Sequence, residues 1–78
     1  MEFVITNHAR ERMVKYDIDE ETLLKCLKNH DDVVIGYDGR KIFHLNLNGY
    51  VLRVVVEESK EIKTVVTVYK ARKNRYEI

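Results

Sequence analysis

The sequence has no proline and no glutamine, three glycines and a single cysteine. With no proline and no low-complexity tract, a disordered or fibrous chain is excluded, and one cysteine cannot close a disulfide on itself. No apolar run approaches the roughly 18 residues needed to cross a bilayer. The opening MEFVITNHARERM lacks the basic start and continuous apolar stretch of a secretory leader. These absences point to a cytoplasmic protein without a membrane partner. No glycine-rich phosphate loop is present. Cys26 and His30 have the helix spacing of two metal ligands, but no second pair matches them, so neither a metal nor a cofactor is expected. Asp31-Asp32 and Glu57-Glu58 diverge in an extended chain and make poor carboxylate pairs.

What is there fits one compact domain spanning residues 1–78. At 78 residues with 45% apolar content, a core is feasible but small, because a chain of this size buries only about 60% of its unfolded surface. The net charge of +1 hides an asymmetry. Residues 1–59 carry 8 Lys and Arg against 11 Asp and Glu, whereas residues 60–78 carry 6 against 2. Lys70, Arg72, Lys73 and Arg75 lie together, with Tyr76 directly after them. Clustered cations beside an aromatic ring can neutralise phosphates and stack on bases; the same run also serves as a solvated tail.

The pattern predicts a short strand at Phe3 to Ile5, then a helix over about residues 7–16 capped by Thr6 or Asn7. Asp19 caps a second helix over about 20–29, with Ile18 and Leu23 as its hydrophobic staple and Leu23, Leu24 and Leu27 as its buried face. The period then changes. Residues 32–37, 40–47, 50–57 and 62–70 read as strands, with Asp38-Gly39 and Asn48-Gly49 as two-residue hairpin turns. The Asn48-Gly49 turn pairs Leu47 with Tyr50, Leu45 with Leu52 and Phe43 with Val54 on one apolar face. On the other face it pairs Ile42 with Val55 and His44 with Arg53. An odd loop near Ser59-Lys60 would bring Ile62, Val66 and Val68 to the core and set Thr67 and Tyr69 beside Arg53; a bulge would shift that assignment. The fold class is α+β: a short N-terminal strand, two helices, then a four-strand antiparallel meander with the helices on one sheet face.

The run GYVLRVVVEESKEIKTVVTVYKARKNRY, residues 49–76, resembles the last hairpin and tail of RelE-type messenger-RNA interferases, in the RelE/ParE toxin superfamily. The run HARERMVKYDIDEETLLKCLKNHDDVV, residues 8–34, is similar to a family of unknown function with a His-Ala-x-x-Arg-Met start that is commonly grouped with the same ribonuclease-like fold. The resemblance implies a toxin of a toxin-antitoxin system acting on RNA, restrained by a cognate antitoxin protein. Arg72 and Tyr76 match the tail arginine and tyrosine with a one-residue slip. Val51 stands where those toxins place an arginine, and Arg53 is the nearest cation on its face.

Metal-independent RNA cleavage needs a base for the 2′-hydroxyl proton, a donor for the leaving 5′-oxygen, and cations around the phosphorus. His8, Arg12 and Lys15 fall within about 60° of one another on the first helix. His8 would sit in the first turn, where a helix dipole disfavours an imidazolium, the arrangement expected of a base. Arg12 or Arg72 would clamp the phosphate, and Tyr76 or Lys70 would transfer a proton or stack on a base. The catalytic candidates are thus His8, Arg12, Lys70, Arg72 and Tyr76, with Lys15, His44, Arg53, Lys73 and Arg75 as RNA contacts. Because His44 and Arg53 point away from the helices, two candidate sites arise; the charge asymmetry favours His8 and Arg12 meeting the tail at the sheet edge. Cys26 and Tyr16 read as core, Arg10 as a surface charge paired with an acid, and His44 with Arg53 as a solvent-facing pair. The competing functions are a non-catalytic binding module of the same fold and a homodimer that covers Ile42, Val51, Val55 and Val65 on the far sheet face.

Overall fold

The computed structural model describes residues 2–72 of the chain. Strand β1 (Glu2–Ile5) leads into helix α1 (Asn7–Lys15) and helix α2 (Glu20–Asn29), followed by strands β2 (Asp32–Ile35), β3 (Lys41–Leu47), β4 (Tyr50–Ser59) and β5 (Ile62–Arg72). The sheet order is β1-β5-β4-β3-β2. The meander is antiparallel throughout, and the first strand closes its far edge by pairing parallel to β5, Ile5 opposite Val65.

Both helices begin as their caps dictate. Thr6 Oγ1 accepts from the Ala9 amide at 3.0 Å, and Asp19 Oδ1 accepts from the Thr22 amide at 2.8 Å. Helix α1 ends with Asp17 at φ 56°, in the left-handed conformation that usually calls for glycine. The Ile18 amide bonds back to the Met13 carbonyl and the Asp17 amide to the Val14 carbonyl, which satisfies two of the last carbonyls. Ile18 is thereby tucked beside Met13, and both enter the core.

That core lies between the helices and one sheet face. It joins Ala9 and Met13 of α1, Leu23, Cys26 and Leu27 of α2, and Phe43, Leu45, Leu52, Val54, Val56, Val65 and Val68 of the sheet. Leu24, expected on the buried face, is 37% exposed, because Cys26 and Leu27 complete the stripe begun by Leu23. Tyr16 packs against the edge of the core.

The Asn48-Gly49 register is as expected, with Leu45 opposite Leu52 and His44 opposite Arg53. Two other turns differ. Asp38 and Gly39 do form a tight turn, both at positive φ (57° and 72°) with the Arg40 amide donating to the Tyr37 carbonyl at 3.1 Å, but the strand pairing resumes only at Ile35 opposite Lys41. Strand β2 therefore stops at Ile35 instead of running to residue 37. The β4–β5 connection is an even, two-residue loop, since Ser59 pairs with Ile62. That parity puts Val65 opposite Val56, and a bulge at Val66 then restores the register that pairs Val54 with Val68. Val65 and Val68 are buried, Val66 is half-buried and Ile62 is exposed. Val65 consequently belongs to the core, not to the far face where the sequence had placed it.

Candidate functional site

The bulge determines how α1 meets the sheet. Val66 has no partner in β4, and its carbonyl accepts instead from Thr6 Oγ1 at 3.1 Å, as does the Val65 carbonyl at 3.1 Å. The hydroxyl that caps α1 thus also holds the irregular turn of β5. Two residues later His8 reaches Thr67, with Nε2 3.1 Å from Oγ1. Thr67 pairs with Val55 and Tyr69 with Arg53, so both lie on the sheet face away from the helices. His8 is exposed and rounds the sheet edge to that face. Through His8, α1 thus touches the same sheet face that carries Arg53.

A row of four polar side chains crosses that face. Asp32 of β2 is opposite His44 of β3, His44 is opposite Arg53 of β4, and Arg53 is opposite Tyr69 of β5. Arg53 Nε donates to His44 Nε2 at 3.0 Å, and its Nη1 donates to the Tyr69 hydroxyl. The guanidinium carbon lies 5.2 Å from the Tyr69 ring centre, adding a cation–π contact. His44 is only 5% exposed, so the sequence expectation of a solvent-facing pair holds for the pairing and fails for exposure. Because arginine carries donors only, His44 Nε2 must be an acceptor, and the neutral ring carries its proton on Nδ1. Nδ1 is buried without a hydrogen-bond partner among the described residues. Burial above all, and then the Arg53 cation, hold the His44 pKa below its ordinary value, while Asp32 pulls weakly upward.

The other candidates distribute as follows. His8, Arg12 and Lys15 line a shallow groove of about 240 Å³ with Glu11. Lys15 Nζ sits 5.5 Å from the ring centre of Tyr16. Lys70 is opposite Leu52 and Arg72 opposite Tyr50, which places both on the helix-side face rather than with Arg53. Lys73, Arg75 and Tyr76 lie outside the described residues. Arg10 approaches Glu20 at 4.0 Å, the expected surface pair. The buried Cys26 thiol is pushed up to about 12, chiefly by desolvation, and its Sγ contacts the Phe43 carbonyl at 3.5 Å, which makes it a core group rather than a nucleophile. Among the described residues no three His, Cys, Asp or Glu side chains gather as metal ligands would. No helix among them is long and apolar enough to cross a membrane.

Asp32 is the member of this face that sequence reasoning missed; Thr67 and Tyr69 were expected beside Arg53, but without a chemical role. Period-two alternation from Arg53 across to β5 locates Tyr69 and Thr67, but not the His8–Thr67 contact, which depends on where α1 meets the sheet.

The fold and this face define an α+β domain with helices on one side of a mixed sheet and a polar row on the other. The chain belongs to a family described as a domain of unknown function (DUF4258), whose profile matches residues 5–70, from the end of β1 to Lys70 of β5. No curated protein and no solved structure matches the chain significantly.

Proposed function

We propose that this domain is a small, cytoplasmic, metal-independent endoribonuclease of the toxin type that the RelE/ParE resemblance implies, working on the sheet face away from the helices. The observation that carries the reading is the His8–Thr67 contact, which brings an imidazole of α1 to the face holding the Arg53–His44–Tyr69 cluster. In this reading His8 takes the 2′-hydroxyl proton through Nδ1 while Thr67 orients the ring. Arg53 offsets charge on the phosphorus, held in place by buried His44, which acts as a positioning residue. Arg12 and Lys15, on the groove beside His8, contact the RNA backbone. Lys70 and Arg72 then serve as outer cations on the opposite face, not as groups at the phosphorus.

The test is incubation of the purified protein in EDTA with messenger RNA, free and on ribosomes. The expected result is cleavage leaving a 2′,3′-cyclic phosphate, reduced on the order of 10²-fold or more in His8→Ala and in Arg53→Ala. RNA left intact by the wild type, with and without ribosomes, defeats the enzyme reading.

A second reading, a non-catalytic module that grips a partner such as an antitoxin, is favoured by two observations. Val51, at the position where RelE toxins carry arginine, is fully buried. A depression of about 580 Å³ beside α1 is lined by Met13, Val14 and Ile18 and by three acids, Asp17, Asp19 and Glu20, against the one cation Arg10, a lining suited to a basic amphipathic segment. Stable co-purification with such a partner, in the absence of any nuclease activity, supports this alternative.

A further inference from the structure

Thr67 and Tyr69 stand two positions apart on β5 beyond the bulge, so their side chains leave the same face about 6.6 Å from one another. The first meets His8 and the second meets Arg53. An imidazole and a phenol are thereby fixed at neighbouring positions along one strand, with a guanidinium bound to the phenol from β4. The bond to Arg53 has a direction. Since guanidinium only donates, the Tyr69 oxygen is the acceptor and its own proton is aimed elsewhere. The same cation offsets the charge that the oxygen carries once that proton has gone. Tyr69 is half-buried, with its ring held against the Arg53 guanidinium, so the phenol is oriented while still reaching the surface.

A base and an acid acting on one phosphorus must stand several ångströms apart on a common face with a cation in reach, and Arg53, across from Tyr69 on β4, is that cation. We propose that Tyr69 is the general acid of the site, protonating the leaving 5′-oxygen as His8, oriented by Thr67, removes the 2′-hydroxyl proton. The proposal rests on the ribonuclease reading above and assigns the acid role to a residue of the described sheet. In the step, the 2′-oxygen loses its proton to His8 Nδ1 and forms a bond to phosphorus. The bond from phosphorus to the 5′-oxygen breaks with its electron pair on that oxygen, which takes the Tyr69 proton. The products are a 2′,3′-cyclic phosphate and a 5′-hydroxyl, and proton transfer from the imidazolium through water to the phenolate resets the pair.

The experiment uses the full chain and two RNA oligonucleotides, free and placed on ribosomes: one natural, the other with sulfur replacing the 5′-oxygen at the scissile phosphate. A thiolate leaves without protonation. Tyr69→Phe keeps the ring and is expected to slow natural RNA on the order of 10²-fold or more while cleaving the sulfur substrate within a few-fold of wild type. His8→Ala should slow both substrates. Thr67→Val should slow both as well, with Thr67→Ser restoring them, as befits a positioning residue. If the wild type cleaves and Tyr69→Phe, melting with the wild type, is unimpaired or equally impaired on both substrates, Tyr69 is not the acid and the ribonuclease reading survives. If the wild type cleaves neither oligonucleotide in either setting, the ribonuclease reading falls and takes this proposal with it.

Discussion

Arg53 Nε donates to His44 Nε2 across 3.0 Å, and this bond fixes the form of imidazole that the fold accepts. The ring must be neutral at Nε2 to receive the proton of a permanently charged guanidinium. Protonating His44 would set two cations against each other in a buried place. The depressed pKa of His44 expresses the same incompatibility, with burial as its largest cause and Arg53 next.

The sign of the resulting pH dependence follows. A histidine whose native pKa lies below its unfolded value stabilises the fold fully above the unfolded value, about 6.5, and loses that contribution as pH falls through the native one. Urea midpoints should therefore be level between about pH 8 and 7 and decline as pH drops below about 6.5. His44→Phe should remove the part of that decline owed to this ring. A wild-type midpoint that stays level to about pH 5 would falsify the assignment of a neutral, buried His44.

The Arg53–His44 pair should be energetically coupled. His44→Phe leaves the Arg53 Nε–H without its acceptor and is expected to cost about 1–3 kcal/mol. Arg53→Met removes the charge that needs satisfying, so the double variant should be less destabilised than the sum of the single ones. A double-mutant cycle in urea measures the difference, and strictly additive values would show that the two side chains merely stand near one another.

The parts of this fold that were legible in the sequence were those fixed locally. Asp19, and Thr6 or its neighbour Asn7, mark the two helix starts, and Asn48-Gly49 sets the β3–β4 register, which is why the His44–Arg53 pairing is readable from the sequence alone. The rest depended on relationships that no local pattern encodes. Strand β1 pairs with β5 across nearly the whole chain, and the bulge at Val66 reverses the facing of every residue between it and the β4–β5 loop. Alternation alone therefore assigned Val65 to the wrong face. Beyond the bulge alternation held, with Val68 in the core, Thr67 and Tyr69 on the face of Arg53, and Lys70 and Arg72 opposite Leu52 and Tyr50. Burial of His44 also escaped the sequence, since polarity argues for exposure until Arg53 supplies a partner.

The bulge can be tested by side-chain polarity at adjacent positions. Val65→Thr keeps the shape but buries a hydroxyl in the core, and should cost about 1–3 kcal/mol. Val66→Thr, at the half-buried extra residue, should stay within about 0.5 kcal/mol of wild type. Chemical denaturation of the two variants reads this directly. The opposite order would mean that the register runs unbroken through residue 66.

Asp17 closes α1 in a left-handed conformation at φ 56°, which costs an L-residue about 1 kcal/mol or more. Glycine adopts this geometry without strain, and the bonds from the Asp17 and Ile18 amides are made by backbone alone. Asp17→Gly should therefore stabilise the domain by about 0.5–1 kcal/mol, seen as a higher urea midpoint with an unchanged slope. A loss of stability would show that the aspartate side chain contributes something its backbone conformation does not.

Thr6 links the helix start to the bulge, and three substitutions separate its two tasks. Its oxygen accepts from the Ala9 amide while its proton is directed at the carbonyls of Val65 and Val66. Thr6→Ala loses both and should cost about 2 kcal/mol, the upper end for a helix cap. Thr6→Ser keeps both and should recover most of that. Thr6→Asp remains a good cap, but a carboxylate has no proton to offer and would face two carbonyl oxygens, so it should rescue little despite its high rank as a cap. Because Thr6 sets where α1 begins, loss of the bulge contact should also loosen the approach of His8 to Thr67. The His8 ring resonances should then shift in Thr6→Ala and Thr6→Asp and remain at wild-type positions in Thr6→Ser. An aspartate variant as stable as wild type would show that capping alone is what the fold requires of this residue.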